Sequence, residues 1–303
     1  MIETTSEGDT VTANDEDIHE NDPRLDDVGP ADAPSTLAAS ALAVDSVGLI
    51  EGLTTTRAIR RYRDEPVPAA VLRTIMFAAT RAPSGSNRQP FRFLVLTDGP
   101  NAVAAKALIG AGARRIWNDK RLSDGYDAGS GATPDSPKAR MAATMQRYVD
   151  TVSSAPVLVL PCLVRYRPRN DLEGASIYPA CQNILLAARA LGYGGVLTGW
   201  HSVVEPELRR LLGIPEEVFI AATITLGRPE GRHGPVRRRP MKELIYEESW
   251  QQPASFAVDP PGTEFTSAGP PKRLAGPLPG WPAPGLPDAP LPDAPAPDAQ
   301  AHP

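Results

Sequence analysis

Val71, Leu72, Ile75, Met76 and Ala79 recur every three or four positions, so they share one face of a helix. Pro66 and Pro68 break the chain before it, with Pro68 in the first turn, where a missing amide donor does no harm. The helix is expected to end at Arg81. Phe91 to Thr97 then reads as a buried strand, and Asp98, Gly99 and Pro100 turn the chain into a second helix, Asn101 to Ile109. Residues 110–137 lose this pattern and are rich in Gly, Ser, Asp and Pro, which predicts a lid, a binding loop or disorder. Helical spacing resumes from Lys138 to Val152, and Ala155 to Val164 is apolar enough for a buried strand. Ile177, Cys181, Ile184, Leu185, Ala188 and Leu191 form the longest apolar stripe, the expected central helix, closed by Gly192. In GYGGVLTGWHS four glycines surround a short strand, so the backbone must turn sharply or lie against something flat. Glu205 to Leu212 is a short helix ended by Gly213. Phe219 to Leu226 is a strand apolar on both faces and therefore central.

Between the first helix and its strand lies RAPSGSNRQPFRF, Arg81 to Phe93, where Pro83, Ser84, Gly85, Ser86, Asn87 and Pro90 exclude helix and offer hydroxyls, an amide and free backbone donors. Such a loop suits a polar heteroaromatic ligand, and it equally suits a plain helix-to-strand turn. Composition does not separate the two.

Charge changes the picture more. Residues 1–50 carry twelve acids and one base, about −11, and residues 251–303 hold 15 prolines with five acids and two bases, about −3. Subtracting both from the total of −5 leaves about +9 for residues 51–250. Three segments follow: an acidic disordered tail over 1–45, a basic folded domain over 46–250, and a disordered Pro/Ala/Asp-rich tail over 251–303. A basic domain points to an anionic ligand. The arginines cluster in short runs beside turns and lack interleaved aromatics, which argues against nucleic acid. The longest apolar run is too short to span a membrane, and the acidic start is no signal peptide, so a soluble cytoplasmic protein is expected. Cys162 and Cys181 both sit in apolar segments and read as buried thiols, not as a disulfide or a metal site.

Two arginine groups are candidates for that anion, Arg57, Arg60 and Arg61 near the start of the domain and Arg237 to Arg239 near its end. Guanidinium forks match a phosphate monoester in a fixed plane. Each group alone is also consistent with a solvated basic run. No catalytic triad, HExxH or GxSxG pattern is present. Gly192, Gly194 and Gly195 follow a helix, which disfavours a Rossmann fold. An enzyme of this composition needs a cofactor to do its chemistry.

Taken together, TTRAIRRYRDEPV, APSGSNRQPFRFLVL, QNILLAARALGYGG with VLTGWHS, and LGRPEG with RRRPMKEL resemble the FMN-dependent nitroreductase family from about Leu53 to Tyr246. The resemblance implies an α+β fold: a three-layer α/β/α sandwich around a mixed, mostly antiparallel sheet. It also implies an interwoven homodimer with two FMN sites at the interface. Arg57, Ala58, Arg60 and Arg61 match the motif that contacts the flavin phosphate and pyrimidine edge. Serine is common in the family where this chain has Ala58, and a further basic residue where it has Thr56. Arg238, with Arg237 or Arg239, matches a C-terminal phosphate-binding arginine. Pro83, Ser84, Ser86, Asn87 and Gln89 match the loop lining the isoalloxazine, usually given by the second subunit, and Phe91 stands where tryptophan is frequent. Leu197, Thr198 and Gly199 match the segment whose backbone amide points at flavin N5. Asn118 and Arg121 in WNDKR resemble a helical-lid pair, though a surface loop fits them as well.

The activity implied is a ping-pong oxidoreductase. NAD(P)H delivers hydride to flavin N5, and a nitroaromatic, quinone, enone or similar acceptor then takes the reducing equivalents. Trp200 and His201 are candidate acceptor contacts, with core packing for the tryptophan and a solvated histidine as the alternatives. The competing functions are a flavin-storage protein that does not turn over, a relative with another flavin chemistry such as dehalogenation or flavin fragmentation, and a dimeric platform for interaction tails. No metal is expected.

Overall fold

The β-sheet is organised around Val157–Val164, the strand with the most continuous apolar run. In the computed structural model, which describes residues 47–170 and 172–266, seven of that strand's eight residues are buried. The acidic tail expected over 1–45 lies outside the described residues, as does the C-terminal tail beyond Thr266. The chain divides into two compact units, one ending at Pro235 and one beginning at Val236.

The first unit contains α1 (Leu49–Thr55), α2 (Ala69–Thr80), β1 (Phe91–Leu96), α3 (Pro100–Ser123), α4 (Pro137–Thr151) and β2 (Val157–Val164). It continues with α5 (Tyr178–Ala190), β3 (Gly194–Thr198), α6 (Glu205–Leu212), β4 (Val218–Ile220) and β5 (Thr223–Gly227). The strand order is β1-β2-β5-β3, with β4 also paired to β2, and every ladder among the described residues is antiparallel.

Alternation along β2 builds two cores, because successive side chains of a strand point to opposite faces. Val157, Val159 and Leu163 join Val71, Ile75 and Ala79 of α2 and Cys181, Ile184 and Ala188 of α5. Leu158, Leu160 and Cys162 join Ile109, Ala113 and Trp117 of α3, Tyr148 and Val149 of α4, and Leu208 of α6. Helices therefore cover both faces of the sheet, giving the three-layer α/β/α arrangement. Each cysteine sits in one of the two cores, where burial pushes the thiol pKa up to about 11 at Cys162 and about 12 at Cys181.

Four expectations need correction. Pro68 caps the first helix instead of lying within its first turn, and Arg81 is the residue after its end. β1 is an edge strand, half-exposed at Phe93 and Leu94, because it pairs only with β2. The second helix runs on to Ser123, so the stretch expected to be irregular from residue 110 is helical for its first half. Gly112 sits in this helix because a Cβ there would lie 2.6 Å from the carbonyl oxygen of Trp200. A glycine that looks like a helix breaker is thus a point of close packing. Finally, the strand expected over Phe219–Leu226 is two strands. Val159 faces Ile224 while Cys162 faces Ile220, so three steps on β2 match four on its partner, which is a bulge. Pro161, which has no amide to donate, occupies β2 at that break, and its carbonyl accepts from Ala221 N at 2.9 Å.

The second unit, described from Val236 to Thr266, contains a short 3-10 turn, Met241–Glu243, and continues past the domain end expected at residue 250. Met241 N donates to Asp259 Oδ2 at 3.1 Å, and Thr266 N donates to Arg238 O at 3.0 Å, which ties residues 251–266 to those before them.

Candidate functional site

Residues 56–63 follow α1 as an extended segment, and with Thr55 at the helix end they are fixed along both sides by backbone hydrogen bonds. Ile59 N donates to Gly195 O on β3 at 3.0 Å. On the other side lies the strap that follows β5: Arg63 N donates to Arg228 O at 2.9 Å, Glu230 N to Arg61 O at 3.2 Å and Gly234 N to Thr55 O at 3.3 Å. Tyr62 carries the segment inward, its hydroxyl donating to Ile59 O at 2.7 Å and lying 2.8 Å from Thr225 Oγ1, which is also 2.8 Å from the Tyr148 hydroxyl. A carbonyl only accepts, so the protons run from Tyr148 through Thr225 and Tyr62 to Ile59 O. Burial raises the pKa of both phenols, and they stay neutral.

Anchoring the backbone this firmly aims the arginines. Arg57 Nη2 donates to Arg232 O at 2.6 Å. Arg60 Nε is buried and meets no hydrogen-bond partner among the described residues. Most buried polar groups are satisfied, so this one asks for an acceptor. Arg60 and Arg61 line two clefts. One, of about 360 Å³, also takes in Arg63, Arg147, Tyr148 and Ser154. The other, of about 250 Å³, takes in Arg57, Ala58, Thr144 and Arg232. The expected group Arg57, Arg60 and Arg61 is thus brought together. Arg147 and the strap with Arg232 and His233 were not foreseen, because no local pattern ties residues so far apart in sequence. A larger hollow of about 630 Å³ lies between α3 and α6, lined by Ala104, Ala107, Leu108 and Leu211 with Glu207 and Arg210.

The loop after α2 is conformationally unusual. Ser86, Asn87 and Gln89 have φ of 50°, 49° and 49°, in the left-handed region that side chains other than glycine seldom adopt. Ser84 holds them there, accepting from Gln89 N with its hydroxyl at 2.9 Å and from Asn87 N with its carbonyl at 3.0 Å. Ser176 Oγ accepts from Gly85 N at 3.2 Å. Ser176 in turn ends a turn fixed by Glu173, whose carboxylate takes a two-pronged bond from Arg165, 3.0 and 3.1 Å. Pro83, Ser86, Asn87 and Gln89 are exposed and Ser84 is half-buried. Clustered backbone strain of this kind marks functional loops more often than plain turns.

At the end of β3, Leu197 is exposed and Thr198 half-buried. Gly199 has φ −103° and ψ 22°, open to any residue, and a Cβ built there would meet nothing within 4 Å. Packing within the chain gives no reason for glycine at this position. Gly195 is the opposite case, since its Cβ would lie 2.4 Å from Thr225 O. Trp200 and His201, the candidate acceptor contacts, are both buried within the chain. Trp200 is buried with its ring 4.7 Å from that of Tyr148. His201 is buried, with Nδ1 3.2 Å from Thr223 Oγ1, and burial lowers its pKa, so it is not the solvated histidine of the alternative account.

Asn118 and Arg121 lie on the last turns of α3, not on a surface loop. Asn118 is exposed, and Arg121 is forked onto Asp127 at 2.8 to 3.0 Å. In the second unit Arg237 pairs with Glu264 at 2.7 Å and Arg239 with Glu243 at 2.9 Å, while the Arg238 guanidinium donates to Arg237 O at 3.0 Å.

The sequence profile described as the nitroreductase family matches residues 53–228. The chain belongs to the nitroreductase family. Among related sequences, it is 30% identical over 195 residues to the chloronitrobenzene nitroreductase of Comamonas testosteroni, covering 56% of this chain and 82% of that one. It is 28% identical over 203 residues to an NADH dehydrogenase of Thermus thermophilus, covering 62% and 90%. Among solved structures, the FMN and NADPH-dependent nitroreductase NfnB from Sphigopyxis sp. strain HMH aligns with a TM-score of 0.52 at 22% identity, over 67% of this chain and 100% of that one. This last likeness concerns the fold.

Proposed function

We propose that this nitroreductase-family chain is an NAD(P)H-dependent FMN oxidoreductase that reduces nitroaromatics, quinones, enones or similar acceptors by a ping-pong mechanism. The observation that carries the reading is Arg60 Nε, a buried donor without an acceptor, in a basic segment whose backbone is fixed on both sides. A phosphate monoester supplies that acceptor. The names of the relatives, one a nitroreductase and one an NADH dehydrogenase, support the donor and the acceptor class.

The residues fit the flavin. Arg57, Arg60 and Arg61 bind its phosphate and pyrimidine edge. Ala58 offers no hydroxyl, so the arginines bear more of that binding. Leu197, Thr198 and Gly199 present bare backbone to the ring, which accounts for a glycine that packing within the chain does not require. Pro83, Ser84, Ser86, Asn87 and Gln89 line the ring from a second copy of the chain. Leu49 and Ile50, each 72% exposed on α1, and Phe77 on α2 offer the apolar surface a homodimer buries. When bound, the flavin supplies hydride chemistry at N5, accepting from NAD(P)H and returning to the acceptor. The protein orients the partners and stabilises negative charge at the pyrimidine edge through another arginine of the same segment.

The test is the absorption spectrum of the purified protein before and after anaerobic NADH or NADPH. The expected result is a flavin spectrum that bleaches with at least one donor and recovers on adding an acceptor. A yellow protein inert to both donors establishes storage, and a protein that neither carries nor binds FMN overturns the reading.

A further inference from the structure

We propose that His233 is a positioning residue for the basic segment: its neutral imidazole latches the strap 228–234 onto the start of β3 and so sets Arg57, Arg60 and Arg61 for an anionic ligand. His233 Nε2 lies 3.0 Å from the carbonyl oxygen of Tyr193. A carbonyl only accepts, so the proton sits on Nε2 and Nδ1 is left as a bare base. Nδ1 is buried and meets no hydrogen-bond partner among the described residues. The ring lies over Gly194, where a Cβ would come within 2.9 Å of Nε2 and 2.6 Å of Ile59 Cγ1. Gly194 is thus glycine because the latch and the basic segment both close down on it.

The latch reaches the arginines through the strap. Arg232, next to His233, gives its carbonyl to Arg57, and Gly234 N holds Thr55 O, so the strap moves together with residues 55–57. Charges face the ring from each element around it. Arg189 approaches from α5, itself paired with Glu51 of α1 at 3.5 Å, and Arg57 approaches from the basic segment. Arg228 stacks on the Tyr193 ring at 4.8 Å. A second proton on the imidazole would be buried, unbonded and beside two guanidinium groups. Burial foremost, then those arginines, lower the pKa from its ordinary 6.5, against a raising contribution from the Tyr193 bond. The sign follows: the unlatched histidine takes a proton more readily than the latched one. The latch is therefore intact above about pH 6.5 and weakens as pH falls below it.

The inference rests on the flavin reading only for the identity of its ligand, and its test separates the two. Protection of the strap amides against hydrogen exchange is measured on the flavin-free full chain at about pH 7.5 and about pH 5.5, after correction for intrinsic rates. FMN titrations accompany it, on the wild type, His233→Gln and His233→Ala. Glutamine can donate to Tyr193 O and does not titrate. The expected result is strap protection that falls at the lower pH in the wild type and stays level in His233→Gln. FMN affinity follows the same order and drops about tenfold in His233→Ala, the worth of one well-made hydrogen bond. His201 titrates in every variant, so any acid loss it causes remains in His233→Gln and is subtracted. Strap protection that is independent of pH and equal in all three proteins overturns the latch. Failure of all three proteins to bind FMN, with the protection pattern intact, overturns the flavin reading and leaves the latch.

Discussion

Arg60 illustrates how a binding residue differs from a stabilising one. It forms no ion pair among the described residues, and its buried Nε is a cost that a ligand relieves. Arg60→Ala should therefore lower FMN affinity by about ten- to a hundredfold, as expected for a charged hydrogen bond, while leaving the melting temperature of the flavin-free protein unchanged or slightly raised. Fluorescence titration and calorimetry on one preparation check both halves, and a large loss of stability without loss of affinity would refute the assignment. The motif around Arg60 was legible because its spacing is local. His233 and Arg147 were not, because their neighbours come from β3, α5 and the 56–63 segment, which only the fold brings together. The burial of His201, expected to be solvated, has a similar origin: a turn rich in glycine looks exposed until α3 packs across it.

At the scale of elements, α3 offers paired tests of opposite sign. Replacing a helical glycine with alanine gains about 1 kcal/mol where space allows. At Gly110 the new Cβ would meet only ordinary contacts, none closer than 3.5 Å, so Gly110→Ala should raise the melting temperature. At Gly112 it would meet the Trp200 carbonyl at 2.6 Å, and a backbone oxygen cannot step aside cheaply. Gly112→Ala should lower stability by about 1–3 kcal/mol despite the better helix former, and equal effects from the two changes would show that packing is not the reason for the glycine. These glycines explain why the apolar periodicity predicts a helix only to Ile109, whereas the stripe of α5, free of such interruptions, locates its helix almost to the residue. The turn that braces the 84–89 loop gives a pH test. The Arg165 bond holds the Glu173 carboxyl below its ordinary value of 4.5, so its contribution is present above that pH and is lost as pH falls through the lowered value. Glu173→Gln should flatten that part of the acid unfolding curve relative to wild type. A curve of unchanged shape would mean that the pair does not hold the turn.

The whole molecule raises the question of where its working part ends. A boundary at residue 250 follows from composition, since proline and alanine dominate beyond it. Yet Asp259 Oδ2 accepts from Met241 N, and Thr266 N donates to Arg238 O, so part of the proline-rich region completes the second unit. Composition counts residues and cannot see which of them return to bond the chain. A chain of residues 46–266 should therefore retain the flavin content and turnover of the full protein. One ending at residue 253 loses Asp259 and the strand bridge between Arg238 and Phe265, and with them the order around the Arg237–Arg239 run. The expected outcome for that shorter chain is a lower melting temperature, read by calorimetry, and faster amide exchange over residues 236–253. If both truncations behave alike and match the full chain, residues 254–266 are dispensable. If both lose turnover equally, one of the outer segments, the acidic one or the one beyond Thr266, is part of the working enzyme.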